Sequence, residues 1–332
     1  MTGFAHMNLP ANTLIRFLQA KAVGAGDPLN ALGYAKSQFG PSSTVVDLLQ
    51  KEVMGTTNLG SDPDFLAAGR GFMELVRSRS LIGKITAASA FRKIPFETRI
   101  LRQLSNPIAT WTAEGQLIPV TGTDFENTSL LSANKVAGII PMTNELLKGA
   151  GANFEAAISR DLSRAVADLE STSFIDPANA GQVGVSPASI TYGITPLSFI
   201  GGDSKPYVQA LIDTFQGDLE TAVFVTTPTI GTQLYNDGFL GAGALGGEVA
   251  GLPLVTSGAV PDGFLGLIDP SGIILADDGV LLDLSDQTTL TLEDDSVVSL
   301  WQLNLSAIKA TRLLNWLTVR EGSVAYFADM GQ

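Results

Sequence analysis

The most regular alternation of apolar and polar positions lies between Asn153 and Thr172. Phe154, Ile158, Leu162, Val166 and Leu169 recur every three or four positions, with Ala157 and Ala165 beside them. That spacing predicts one amphipathic helix with a single buried stripe. Asn153 is placed to cap it, Glu155 in the first turn complements the helix dipole, and Asp176–Pro177 follows its end. At about 1.5 Å per residue the helix is a rod of roughly 30 Å.

Upstream, residues 130–142 (LLSANKVAGIIPM) read as a strand, with Val136, Ile139 and Ile140 buried and Gly138 allowing close approach. Thr143 or Asn144 then starts a helical turn through Glu145, Leu146 and Leu147, interrupted at Gly149–Ala150–Gly151. Residues 96–128 alternate weakly and are rich in Thr, Gly and Pro, which predicts two strands joined by a protruding loop. Residues 1–84 read as short helices between turns. Leu14, Ile15, Phe17, Leu18 and Ala22 mark a first short stretch, stopped by Gly24–Pro28. Ser43 or Thr44 caps a second with Val45, Leu48, Leu49 and Val53. Asp62–Pro63 opens a third with Phe65, Leu66, Phe72, Leu75 and Val76. None of these is long enough to make its own core, so they are expected to lie on another surface.

Downstream, residues 180–300 read as a separate α/β domain. Ser204 opens a helix with Tyr207, Val208, Leu211, Ile212 and Phe215; AVFVT (222–226) is a buried strand; Thr227–Pro228 starts a second helix. A Gly-rich loop spans 238–251, and LPLVTS, FLGLID and GIILADD read as further strands. Asp277–Asp278 and Glu293–Asp294–Asp295 are expected in turns between strands. The last block, 297–327, alternates in strand fashion through Trp301, Leu303 and Leu305. It is expected to return to the sheet begun before the long helix, so that 180–300 is an insertion between the halves of one domain.

Composition narrows the chemistry. Apolar residues are 45% and charged residues 16% of the 332, a lean charge content that implies much surface buried in a core or against other subunits. With no cysteine, disulfides, thiol catalysis and zinc–thiolate sites are excluded, and His6 alone leaves no basis for Ser-His-Asp hydrolysis or a histidine metal site. The glycines at 241–251 lack the Lys and the strand–loop–helix context of a phosphate loop, and neither acidic run has the spacing of a calcium loop. No catalytic, metal or cofactor site is expected. No apolar run is long enough to span a bilayer, and the N-terminus lacks a secretion pattern.

The net charge of −13 is unevenly placed. Residues 1–199 carry 16 basic and 16 acidic groups; residues 200–300 carry Lys205 against 15 acids; residues 301–332 carry three basic against two acidic. So acidic a segment repels phosphate backbones. Between 70 and 102, Arg70, Arg77, Arg79, Lys84, Arg92, Lys93, Arg99 and Arg102 face only Glu74 and Glu97. Three readings stay open for this stretch: a solvated or intrachain-paired face, a docking surface for acidic groups of a neighbouring copy, or contact with packaged nucleic acid.

Four pieces in order carry a resemblance: WTAEGQLIPVTGTDFE, then NKVAGIIPMTNELL, then FEAAISRDLSRAVADLESTSFIDP, and the closing SAIKATRLLNWLTVREGSVAYF. Together they resemble the major capsid proteins of tailed bacteriophages, whose Hong Kong 97-type fold is shared with encapsulin nanocompartment shells. The resemblance covers nearly all of residues 60–330. It implies an α+β fold with an N-terminal arm at 1–84 and an extended E-loop hairpin at 97–128. A P-domain would comprise 85–96, 129–179 and 297–332, with its spine helix at about 153–172, and an inserted A-domain would occupy 180–296.

The implied function is structural. Copies would self-assemble as pentamers and hexamers of an icosahedral phage head enclosing double-stranded DNA, in virions assembled in the bacterial host cytoplasm. The alternative is an encapsulin-like shell around a cargo enzyme. Implied partners are other copies, a scaffolding protein, a maturation protease, and portal and decoration proteins. DNA contact would be non-specific and no membrane is involved. Intersubunit contacts are expected at Arg77, Arg79, Arg92, Lys93, Arg99 and Arg102 and, in the E-loop, at Trp111, Glu114 and Phe125. Two departures stand out. No lysine lies between Phe96 and Asn134, so covalent cross-linking through an E-loop lysine is not expected. The first 84 residues read as an arm, not a long charged coiled coil, so scaffolding is expected to be separate, already removed or absent.

Overall fold

The computed structural model describes residues 10–24, 27–53, 73–98, 100–103, 125–128, 131–145, 152–198, 201–285, 288–291 and 296–329. The helix expected to open at Asp62–Pro63 falls largely outside them, as do Glu293–Asp294–Asp295. The chain divides into two compact units. The first comprises Met1–Arg79, Val136–Asp168 and Gly279–Arg312; the second comprises Ser80–Lys135, Leu169–Asp278 and Leu313–Gln332.

In the first unit, helices α1 (Pro10–Gly24), α2 (Pro28–Phe39) and α3 (Thr44–Val53) share one core with Met142, Leu162, Val166, Ala167 and Ala310 further along the chain. Asp27 starts α2: its carboxylate accepts from the Leu29 amide at 2.9 Å, and Pro28 fills the first helical position, where no amide is needed. Phe17, Ala20, Ala31, Ala35, Val45, Val46, Leu48 and Leu49 are buried together with Leu162, Val166 and Ala167. These segments lie on another surface, as expected, but α2 was not foreseen at all. Its buried stripe is Ala31 and Ala35, too weakly apolar to register as a period, yet small enough for close packing. A Cβ at Gly24 would lie 2.7 Å from that of Ala31, so the α1–α2 corner closes only because that position has no side chain.

The long helix is α5 (Ala152–Ile175), preceded in the chain by α4 (Leu81–Ala88). It runs 24 residues and outlasts its expected end at Thr172. Its buried face is rotated from the expected stripe. Ser159, Leu162, Ser163, Val166 and Ala167 are buried, whereas Leu169 is 53% exposed. On β4 (Asn134–Thr143), a Cβ at Gly138 would sit 3.3 Å from Leu162 Cδ1, as its placement in the sequence implied. The period of two puts Val136, Gly138, Ile140 and Met142 on one face of β4; Ile139, expected inside, is 49% exposed on the other.

The remaining strands are β1 (Arg92–Lys93), β2 (Ile100–Gln103), β3 (Phe125–Thr128), β5 (Val223–Thr226), β6 (Gly247–Val249), β7 (Leu252–Thr256), β8 (Leu265–Ile268), β9 (Ile273–Ser285), β10 (Thr289–Thr291), β11 (Val297–Ser299), β12 (Leu305–Thr318) and β13 (Val324–Phe327). One sheet has the order β1–β9–β12–β4. Asp277 and Asp278 lie within β9 just before Gly279, whose φ of 90° is open to glycine, and not in a turn between strands. Residues 301–304, expected in a strand with Leu305, form a turn, and β12 starts at Leu305.

The second unit holds a five-stranded sheet in the order β13–β8–β5–β7–β6. β5 and β8 are buried at every position, the mark of strands covered on both faces. On one face, Phe224, Leu254, Leu265, Leu267 and Phe327 pack with α6 (Ser204–Thr214) and α7 (Pro228–Asn236) through Tyr207, Leu211, Ile230 and Leu234. On the other, Val223, Val225, Ile268 and Tyr326 join Leu81, Ile85, Phe174, Leu314 and Trp316. The closing block therefore splits. β12 joins the sheet with β4, as expected, but β13 pairs antiparallel with β8, Val324 opposite Ile268.

Candidate intersubunit surfaces

The expected contact residues are dispersed. Arg77 and Arg79 sit on the helical stretch 73–79 of the first unit, both half-buried. In the second unit, Ser80 caps α4, accepting from the Gly83 amide at 3.0 Å, and the Leu81 amide donates to Ser171 Oγ at 2.9 Å. Lys84 is held within the chain. Its Nζ donates to the Thr256 carbonyl at 2.8 Å, and burial lowers its pKa. Arg92 and Lys93 are fully available. They lie exposed on β1, which takes one edge of its sheet in parallel register with Ile274 and Leu275. An edge strand carrying two cations resists uncontrolled strand addition while offering charge to a partner.

The stem of the expected hairpin is present. β2 pairs antiparallel with β3, Arg102 opposite Glu126 and Gln103 opposite Phe125, so the chain leaves and re-enters the stem side by side. Trp111, Glu114 and Arg99 lie outside the described residues, and Arg102 and Phe125 are placed by backbone alone.

Sequence reasoning missed the exposed apolar side chains. Val297, Trp301 and Leu303 stand out in the first unit, and Val183, Val185, Tyr235, Leu240 and Leu245 in the second. Leu240 and Leu245 flank a loop whose glycines are required by close backbone approach: a Cβ at Gly247 would collide with the Gly241 carbonyl. The signal available for these residues was indirect, the low charge content of the whole chain.

No group of three or more His, Cys, Asp or Glu among the described residues could hold a metal ion. An open cavity of about 690 Å³ in the second unit is lined by residues including Leu131, Ile190, Tyr192 and Trp316. Its wall is fixed by Trp316 Nε1 donating to the Ala188 carbonyl at 2.8 Å and Asn315 Nδ2 to the Ser132 carbonyl at 2.6 Å. The best-ordered electrostatic centre is structural. Asp269 is buried and accepts from Thr221 Oγ1 (2.6 Å), the Ser271 amide (2.9 Å), the Asp218 amide (3.1 Å) and Arg320 Nη1 (3.3 Å). Burial alone would raise its pKa; the hydrogen bonds from Thr221, Ser271 and Asp218 outweigh that and hold it below the ordinary 3.8. Among the described residues no helix is long and apolar enough to cross a membrane.

Comparison with known proteins adds four findings. The model of the phage capsid family matches residues 70–298. A capsid polyprotein of Pseudomonas phage PAJU2 is 28% identical over 365 aligned positions, covering 97% of this chain and 54% of its own length, so the chain spans about half of that curated relative. A solved structure from Gordonia phage Cozz aligns with a TM-score of 0.55 at 15% identity, over 76% of this chain and 87% of its own. The capsid of a native GTA particle aligns with a TM-score of 0.53 at 11% identity, over 75% of this chain and 90% of its own. The structural likenesses establish a shared fold.

Proposed function

The chain belongs to the phage capsid family, and from that premise we propose that it is a major capsid protein, a structural subunit and not an enzyme. Many copies assemble into the icosahedral shell of a phage head, as pentamers and hexamers, around double-stranded DNA in the virion. The observation that carries this reading is the family match across residues 70–298 on a fold shared with phage structures. The paired stem of β2 and β3 supports an E-loop at 97–128 reaching beyond its own sheet. The two-sided burial of β5 and β8 supports an A-domain built on the five-stranded sheet.

In this reading the basic stretch and the E-loop act at subunit boundaries. Arg77, Arg79, Arg92, Lys93, Arg99 and Arg102 meet the acidic surface of residues 200–300 on neighbouring copies, and Trp111, Glu114 and Phe125 contact the next subunit. The contacts are non-covalent, since the E-loop carries no lysine. Individually weak, they gain strength by repetition around closed rings. Scaffolding, maturation protease, portal and decoration proteins complete the set of partners.

Purified protein is expected to form hollow megadalton particles, or pentamers and hexamers, by light scattering and negative-stain microscopy. A chain that stays monomeric under all assembly conditions overturns the proposal. Particles filled with a protein cargo and free of nucleic acid would identify an encapsulin-like shell instead.

A further inference from the structure

The chain contains no Asn–Gly pair and three Asp–Gly pairs, at 237–238, 262–263 and 278–279. An Asp–Gly pair is open to a spontaneous reaction of its own, because glycine has no side chain to shield its amide nitrogen from the neighbouring carboxyl. All three pairs lie among the described residues, and the fold treats them differently.

Asp237 is engaged at both reacting groups. Its Oδ2 accepts from the Ser204 amide at 2.9 Å and from Ser204 Oγ, and the Gly238 amide donates to the Tyr235 carbonyl at 3.1 Å. Asp278 and Gly279 lie inside β9, where Gly279 is also engaged. Rotating the backbone at Asp278 to bring the Gly279 amide onto the carboxyl would break the strand. Asp262 is exposed, in the turn Pro261–Phe264 between β7 and β8. Among the hydrogen bonds of the described residues, neither its carboxylate nor the Gly263 amide takes part. One bond closes this turn, from the Phe264 amide to the Pro261 carbonyl at 3.2 Å, and Gly263 holds its third position at φ 78°, as a type II turn requires.

We propose that Asp262–Gly263 is the site at which this protein isomerises spontaneously to isoaspartate, while the fold protects the pairs at 237 and 278. The Gly263 amide nitrogen bonds to Cγ of Asp262. The Cγ–OH bond breaks, and the hydroxyl leaves as water with the amide proton. The product is a five-membered cyclic imide. Water then adds to one of its two carbonyls. Opening at Cγ restores aspartate. Opening at the main-chain carbonyl leaves the chain running through Cγ, with the free carboxylate on Cα. The water lost is regained, nothing is oxidised or reduced, and mass and charge are unchanged.

The flanks of the turn confine the change. The main chain gains one methylene, about 1.5 Å. Upstream, the Ser257 amide donates to the Thr226 carbonyl at 3.1 Å. Downstream, the Phe264 carbonyl accepts from Thr226 Oγ1 at 2.7 Å, and the Phe264 ring stacks on Tyr326 with centroids 5.2 Å apart. Both flanks are tied to one residue of β5, so the added length goes outward at the cost of the Phe264–Pro261 bond, and the sheet stays in place. The change accumulates in any copy that is not replaced, whether or not the chain forms a shell.

The test holds purified protein for several weeks near neutral pH in heavy-oxygen water, folded and, in parallel, unfolded in guanidinium. Chymotrypsin, which cuts after Phe239 and Phe264, separates the three sites, and an isoaspartyl methyltransferase marks the isomer in each peptide. In the folded chain the isomer at 262 should exceed that at 237 or 278 by about tenfold or more, the factor that a hydrogen bond to a charged group withholds. In guanidinium the three should differ far less. Asp262→Glu, which would need a six-membered ring, should lose the mark at that site and keep the melting temperature. Isomer spread evenly over the three sites of the folded chain, or absent from 262, overturns the inference. So does the same preference in both states, which would place it in the sequence and not in the fold.

Discussion

Replacing Asp269 by alanine tests how the second unit is held together. The carboxylate is buried and receives four donors, two of them amides that lie at fixed positions in the chain, from Asp218 and Ser271. Thr221 has a second acceptor in the Asp218 carbonyl at 3.3 Å, and Arg320, with a 37% exposed side chain, can turn to water. The cost therefore concentrates on the two partly buried amides, whose hydrogen bonds to a charged group are worth about 1.5 kcal/mol each, for a total of about 3 kcal/mol. For a body of roughly 150–250 residues that is about 6–12 °C in melting temperature. Asp269→Asn adds the pH dependence. The folded pKa lies below the ordinary 3.8, so the ionised carboxylate contributes its full stability above about pH 4 and loses it as pH falls through the folded value. The gap between wild type and Asp269→Asn should be open at pH 7 and narrow as pH falls below about 4 and on through the folded pKa, where the wild-type carboxyl becomes neutral. The assay is thermal and urea unfolding of unassembled subunits across that range. A shift under about 2 °C for the alanine variant, or a gap between wild type and Asp269→Asn that does not change with pH, would refute the reasoning.

Three further outcomes follow from burial and charge. Leu162→Ala should cost about 2–5 kcal/mol in urea unfolding and Leu169→Ala less than about 1, although both sit on the stripe that the sequence suggests, because only Leu162 faces the core. Gly24→Ala should destabilise by about 1–3 kcal/mol, since its Cβ would meet Ala31 at 2.7 Å; an unchanged midpoint would show that the α1–α2 corner can open. Charge reversal at Arg92 and Lys93, or at Arg99 and Arg102, should leave unfolding within about 0.5 kcal/mol and impair shell formation, most clearly at low salt; normal shells from both pairs would remove the electrostatic docking.

The sequence carried some of these features and concealed others for identifiable reasons. β5, β7 and β8 are legible as apolar runs between turn residues, and α7 as Thr227–Pro228 followed by a helical period, because each signal is local. The remote ones are not. The first amide of α6 is capped by Asp237, whose Oδ2 accepts from the Ser204 amide at 2.9 Å across 33 residues, and no pattern near Ser204 announces it. α2 hid because its inner face is alanine. The inner face of α5 was misplaced because a search for large apolar residues passes over Ser159 and Ser163, which are buried. Of the residues expected at contacts, the exposed cations on β1 were visible as a charge run, but Lys84 in the same run turned out to serve the Thr256 carbonyl.

Charge content and exposed apolar residues together bear on why a lone subunit is an incomplete object. A chain with 16% charged residues has few charged side chains with which to cover its surface. The shortfall is not spread evenly. It surfaces at Trp301 on a clamped turn, at Leu240 and Leu245 beside a glycine-compressed loop, and at Val183 and Val185 next to the isolated bridge between Gln182 and Ser186. In each place the backbone is fixed by hydrogen bonds or by glycine packing that an ordinary solvent-facing loop does not need. Rigid backbone under exposed apolar side chains is costly for a monomer and useful to an assembly, since the ordering has been done before the partner arrives. A free-standing globular protein under the same constraints would place polar residues at these tips; that this chain does not is what its membership of a shell-forming family leads one to expect.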